Sequence, residues 1–207
     1  MTFHHPSGQI TRPSDVVEAG YRGTVDIVEA AATAPEASLR CAAVGALLRL
    51  DLLDGARLVG FATDPDPQVR RRAAELAPRL SDAAIIEPRL VAMLDDEPEI
   101  AEIAAFALGE IGSTGDHQLG STSIAAIENM VRSHEDALCR EAAVATLGAL
   151  HSGLETILSA CSDKATVRRR AIIALAPFEG PEVDRALETA LTDRDWQVRQ
   201  AAEDLIG

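Results

Sequence analysis

CREAAVATLGAL, running from Cys139 to Leu150, aligns without a gap with five other stretches of this 207-residue chain. These begin at Leu39, Val69, Ile100, Val167 and Val198, and read LRCAAVGALLRL, VRRRAAELAPRL, IAEIAAFALGEI, VRRRAIIALAPF and VRQAAEDLIG. Successive starts are 30, 31, 39, 28 and 31 residues apart. Self-similarity at a period of this size signals stacked supersecondary units rather than one irregular core.

The aligned columns carry physical meaning. The fifth is alanine throughout: Ala43, Ala73, Ala104, Ala143, Ala171 and Ala202. A column restricted to the smallest helix former marks a place where helices approach closely. Positions one, five, eight, nine and twelve form a single apolar stripe at helical spacing. Positions three, four, seven and eleven are expected on the opposite, exposed face. The second column is arginine in five of six repeats, at Arg40, Arg70, Arg140, Arg168 and Arg199, with Ala101 as the exception. Turn acids precede the helices at Asp64, Asp95, Asp163 and Asp193, where a carboxylate can cap free amide donors. Pro67 and Pro98 suit a first helical turn. Two readings of the arginine column are open, a structural ladder of arginine on turn carboxylate and an anion-binding row. The nearby acids favour the ladder.

A further apolar helical stretch precedes each of these helices, for example GTVDIVEAAAT, GARLVGFAT and PEVDRALETALT. Each unit is then helix, turn, helix, and no unit can bury its own apolar faces alone, so the units must stack. Composition agrees. Aromatic residues make up only 3% of the chain, so the core must come from Ala, Leu, Val and Ile, which suits helix packing better than a β-sandwich.

The pattern D-x-x-x-x-V-R-x-x-A-A-x-A-L-G, clearest in DRDWQVRQAA and IAEIAAFALGEIG, resembles the short HEAT repeats of the bilin-lyase type over about residues 24–207. The resemblance implies an all-α fold, a right-handed α-solenoid of about six helix-turn-helix repeats. For function it implies a range: adaptors, scaffolds, regulators, lyase subunits and glycosylases for alkylated bases. The expected organisation is an irregular lead at 1–13, a single array over 14–207 and a loop insertion at 113–120, where the 39-residue interval falls. Ser14 could cap a short first helix. Glu203 and Asp204 give the last helix the polar face a terminal repeat needs. The insertion is either a functional loop or a tolerated surface lengthening.

The net charge is −14, with 10 basic and 18 acidic groups up to Gly112 and 9 and 15 beyond it. Acidity spread this evenly repels a phosphate backbone and disfavours nucleic acid as a partner. No GxGxxG, GxxxxGK[ST], HExxH or GxSxG occurs, and the five histidines form no metal-ligand spacing. No enzyme, metal site or cofactor is therefore expected. Cys41, Cys139 and Cys161 read as buried thiols, an odd count without CxxC. No signal-peptide pattern opens the chain and the longest uncharged run is too short for a bilayer, which points to a cytoplasmic protein without a membrane partner.

The exposed columns of the second helices supply the candidate binding site. Arg71 and Arg72 lie at one end, Ile103, Phe106, Ala145 and Ile173 form a central apolar strip, and Arg169 and Arg170 flank the other end. Apolar residues on an exposed column mark a contact surface, and arginine beside an aromatic is typical of binding hot spots. The expected function is a non-catalytic scaffold binding a protein or peptide on this face. The alternatives are a nucleic-acid-binding glycosylase, which would place the VRRRA segments on phosphate, and a subunit of a lyase or cofactor chaperone. It is also open whether the strip packs inside the array instead.

Overall fold

The computed structural model describes residues 12–114 and 117–207. It is an α-solenoid. Among the described residues there are thirteen α-helices and no strand: α1 (Pro13–Arg22), α2 (Val25–Ala32), α3 (Ala37–Arg49), α4 (Gly55–Phe61), α5 (Pro67–Leu76), α6 (Ala83–Ala92), α7 (Pro98–Thr114), α8 (Ser121–Ser133), α9 (Ala137–Ala149), α10 (Leu154–Ala160), α11 (Ala165–Ala174), α12 (Pro181–Ala190) and α13 (Trp196–Ile206). None is long and apolar enough to cross a membrane. The expected lead at 1–13 lies outside the described residues as far as residue 11, and Pro13 already opens α1. Of the expected insertion, Ser113 and Thr114 complete α7, and residues 115 and 116 lie outside the described residues.

From α2 onward the helices alternate between two layers. The second helices pack in series, α3 on α5, α5 on α7, α7 on α9, α9 on α11 and α11 on α13. The first helices form the other layer, with α4 on α6, α6 on α8 and α8 on α10. All six alanines of the fifth column have no exposed surface. The first column is buried throughout. The buried stripe is wider than expected, because Val44, Ala74, Ala105, Val144 and Ile172 of the sixth column are buried too. A second helix touches its own first helix and a second helix on each side, so one narrow stripe cannot serve it. For the same reason Ala142 and Ala201, expected on the exposed face, are buried. In the terminal α13 the stripe opens, leaving Leu205 and Ile206 exposed. Cys139 is buried as expected, whereas Cys41 and Cys161 are only half-buried.

Glycine sets the closest approaches. A Cβ on Gly148 would stand 2.8 Å from the Ala174 Cβ, and one on Gly20 would stand 2.9 Å from the Ala46 Cβ. Gly20 thus holds in α1 the place that Gly148 holds in α9. α1, which packs on α3, is the second helix of an additional N-terminal half-repeat. That register places Arg12 in the arginine column. Its partner position in the next turn is Ala34, so Arg12 turns back to Asp15 at 2.9 Å. Ser14 lies inside α1 and does not cap it; Arg12 holds the cap position.

Candidate functional site

Each interior repeat orients its second helix through the turn before it. Asp66, Asp136 and Asp195 cap α5, α9 and α13 by accepting a hydrogen bond from the backbone amide two residues on. The ladder carboxylates are separate residues. Arg40 donates to both oxygens of Asp64, Arg70 to both of Asp96 and Arg140 to both of Asp163, all at 2.7 Å. Arg168 grips Asp193 at 2.8 and 2.7 Å. The same arginines donate their remaining nitrogen to carbonyls of their own turn, such as Ala34 and Pro35 for Arg40. Every rung therefore ties one turn to the next. Asp96 takes the role expected of Asp95, and Arg199 reaches only the Asp193 carbonyl, at 2.7 Å.

Hydrogen bonds from the arginines hold Asp64, Asp96, Asp163 and Asp193 below the ordinary carboxylate range, against the opposing effect of burial. A carboxylate whose folded pKa is depressed stabilises the fold above its unfolded pKa, and that contribution disappears as pH falls through the folded value. The melting temperature is accordingly expected to change little above about pH 5 and to fall steadily below about pH 4, where unfolded aspartates titrate. Thermal melts between pH 7 and pH 2 check this. A fall that begins above pH 6 would contradict it.

The residues of the expected binding strip separate into three groups. Arg71 and Arg72 both pair with Glu75, at 3.2 and 3.0 Å, and Arg71 is the more exposed. Phe106 is exposed and Ile103 half-buried beside it on α7. Ala145, Arg170 and Ile173 line one depression of about 460 Å³ together with Gly148 and Pro177. Arg169 and Ile173 line the next, of about 430 Å³, with Trp196, Gln200 and Leu205. Arg170 is held by Glu141 at 3.2 Å. Ile173, 37% exposed, is shared by both depressions, and Trp196 is 64% exposed at the rim. Phe106, Ile103 and Arg71 line neither depression. The two depressions therefore lie over α9, α11 and α13, where they bring together Ala145, Arg169, Arg170 and Ile173 of the expected strip, while Phe106 and Ile103 lie beside them on α7.

Trp196 was missed because it lies two residues before the repeat columns begin at Val198, directly after the capping Asp195. A second cluster was missed altogether. Glu87, buried on α6, accepts hydrogen bonds from the Gly120 amide and the Ser123 hydroxyl at the start of α8, and lies against His117 Nε2. Burial pushes its carboxyl up, but the bonds from Ser123, His117 and Gly120 outweigh this and hold it below the usual glutamate range. Its partners lie 30 to 36 residues away, His117 and Gly120 in the inserted connection and Ser123 in the first turn of α8, where no repeat column points to them. Among the described residues, no group of three His, Cys, Asp or Glu side chains could hold a metal ion.

A family model described as HEAT repeats matches residues 55–148 and 124–207. No curated protein matches the chain. Among solved structures, the Escherichia coli protein YibA is 15% identical at a TM-score of 0.65, covering 96% of this chain and 75% of that one. A designed armadillo repeat protein in complex with the peptide (KR)4 is 17% identical at a TM-score of 0.59, covering 87% and 97%. A chain from the complex of CpcE and CpcF of phycocyanin lyase from Nostoc sp. is 18% identical at a TM-score of 0.58, covering 98% and 78%. At these identities the likeness is one of fold.

Proposed function

Because this chain belongs to the HEAT-repeat family, we propose that it is a non-catalytic interaction module that captures a protein segment on the exposed face of α9, α11 and α13. The observation that carries this reading is the pair of adjoining depressions that share Ile173, with Trp196 at their rim. Exposed apolar side chains that line up across successive helices are costly to leave in water and mark a contact surface. Trp196 and Arg169 supply the residue types that anchor interfaces. The helices are already in place, so a partner is met without ordering a loop, which removes one cost of association. The designed neighbour that holds a peptide supports a protein segment as the class of partner.

The nucleic-acid alternative is disfavoured by the ion pairs. In the VRRRA segments, Arg70 and Arg168 are ladder rungs, while Arg72 and Arg170 are bound to Glu75 and Glu141. A phosphate would have to displace these carboxylates.

The test is affinity capture from the native cell, followed by a binding titration with the partner recovered. Ile173→Asp and Trp196→Ala are each expected to weaken binding at least about tenfold, with the helical circular dichroism spectrum unchanged. Phe106→Asp, outside the depressions, is expected to weaken it less than about threefold. Capture that survives Ile173→Asp and Trp196→Ala would move the interface elsewhere.

A further inference from the structure

The arginine ladder is broken once inside the array, at Ala101, and a large groove lies at the break. It has a volume of about 820 Å³ and opens between the C-terminal end of α6 and that of α8, at the turns that precede α7 and α9. The four intact rungs show what occupies the equivalent place elsewhere. A guanidinium leaves the second helix, donates to carbonyls five or six residues earlier in its own turn, and ends on a carboxylate of the following turn. The turn before α7 has the register of the turn before α11, with its carboxylate Asp96 five residues before Ala101 as Asp163 stands before Arg168, so the matching carbonyl is that of Asp96. Among the described residues, no side chain donates to it. The carboxylate position of the following turn, six residues before Arg140, is His134, whose Nδ1 accepts the Asp136 amide at 3.1 Å, as Asp64 and Asp193 accept in their own turns. Asp95 and His134 both line the groove, on its two sides.

We propose that this groove receives an arginine side chain from a protein partner, which supplies in trans the rung that Ala101 omits. The groove matches that occupant in three ways. The Asp96 carbonyl, counterpart of the Asp163 carbonyl that Arg168 uses, receives no side-chain donor among the described residues, and Asp95 beside it lines the groove. The lining carboxylates Asp95, Glu135 and Asp136 are all acidic, and no Lys or Arg lines the groove. Val91 and Met130 offer an apolar wall for the three-carbon stem of an arginine. Lysine fits less well, since a single ammonium cannot span two turns with a planar fork of donors. The groove is lined from α6, α8 and the turns after them, and shares no lining residue with the depressions around Ile173, so it does not depend on them.

The test uses fluorescein-labelled (Gly-Arg)4 and the same peptide with citrulline in place of arginine, titrated by fluorescence anisotropy against the full chain. The arginine peptide is expected to bind at least tenfold more tightly than the citrulline peptide. Ala101→Arg combined with His134→Asp rebuilds the internal rung and leaves the net charge unchanged. It is expected to weaken the arginine peptide at least tenfold while raising or preserving the melting temperature. Asp95→Asn combined with Glu135→Gln, both exposed positions, is expected to weaken it as well. Ile173→Asp is expected to leave it unchanged, so that failure here and failure of the interface around Ile173 are separable. Equal binding of the two peptides would show that no guanidinium is recognised and would overturn the proposal; unchanged binding by both double variants would overturn it too, by showing that the acidic surface attracts cations without using this groove.

Discussion

Replacing Arg168 by alanine is expected to lower the free energy of unfolding by about 3 kcal/mol, the lower end of what breaking a buried ion pair costs. The Arg168 side chain is 8% exposed and that of Asp193 16%, so neither charge is well solvated when the other is removed. The substitution deletes two charge-assisted bonds to Asp193 and the 2.8 Å bond to the Asp163 carbonyl, and leaves both acceptors short of donors. Arg168→Lys is expected to recover less than half of the loss, because an ammonium cannot make the paired contact. Urea unfolding followed by circular dichroism measures both. A loss under about 1 kcal/mol would mean that the rung behaves as an ordinary surface pair.

The second large effect is steric. Gly148→Val is expected to destabilise the fold by about 3 kcal/mol, the upper range for overpacking. A Cβ at Gly148 would meet not only the Ala174 Cβ but also its Cα and carbonyl oxygen, at 2.9 and 3.1 Å. Backbone cannot swing away as a side chain can, so α9 and α11 must move apart. Gly60, on α4 with nothing within 4 Å of a Cβ, is the control. Gly60→Ala is expected to stabilise by about 0.5–1 kcal/mol through helix propensity alone. Thermal melts of the two variants should move in opposite directions. A Gly148→Val protein that melts like its parent would show that the two helices are free to separate.

The sequence made the repeat legible because spacing and small size are written directly into the columns. Every alanine of the fifth column is fully buried, and four of the five arginines of the second column form rungs. What depended on three-dimensional neighbours was less legible. The pair Asp95-Asp96 offers two carboxylates one residue apart, and pattern alone could not tell which one Arg70 reaches. The sixth column falls outside the apolar stripe read from the sequence because a helix read on its own shows a single buried face, whereas these helices are packed on several sides. Glu87 resembles any surface glutamate until the chain returns, 33 residues later, to place Gly120 against it. The half-repeat at α1 has no apolar signature beyond Val16 and Ala19, and became visible only through the contact of Gly20 with Ala46.

The Glu87 cluster gives the array an uneven stiffness. α8 is fastened to α6 at its first turn, through Gly120 and Ser123, while at its last turn the groove separates the two helices. Met130 and Val131 still bury the last turn of α8, so its two ends are held differently, one by a polar clamp and the other by apolar contact beside an open groove. Between the turn before α3 and the turn before α13, the step from the turn before α7 to the turn before α9 is the one without an arginine rung, so bending there meets the least polar resistance. The clamp at Glu87 then acts as the fulcrum. A wedge entering the groove would turn the three repeats beyond it as one arm, so a small insertion at one turn would be read out as a change of curvature over half the molecule.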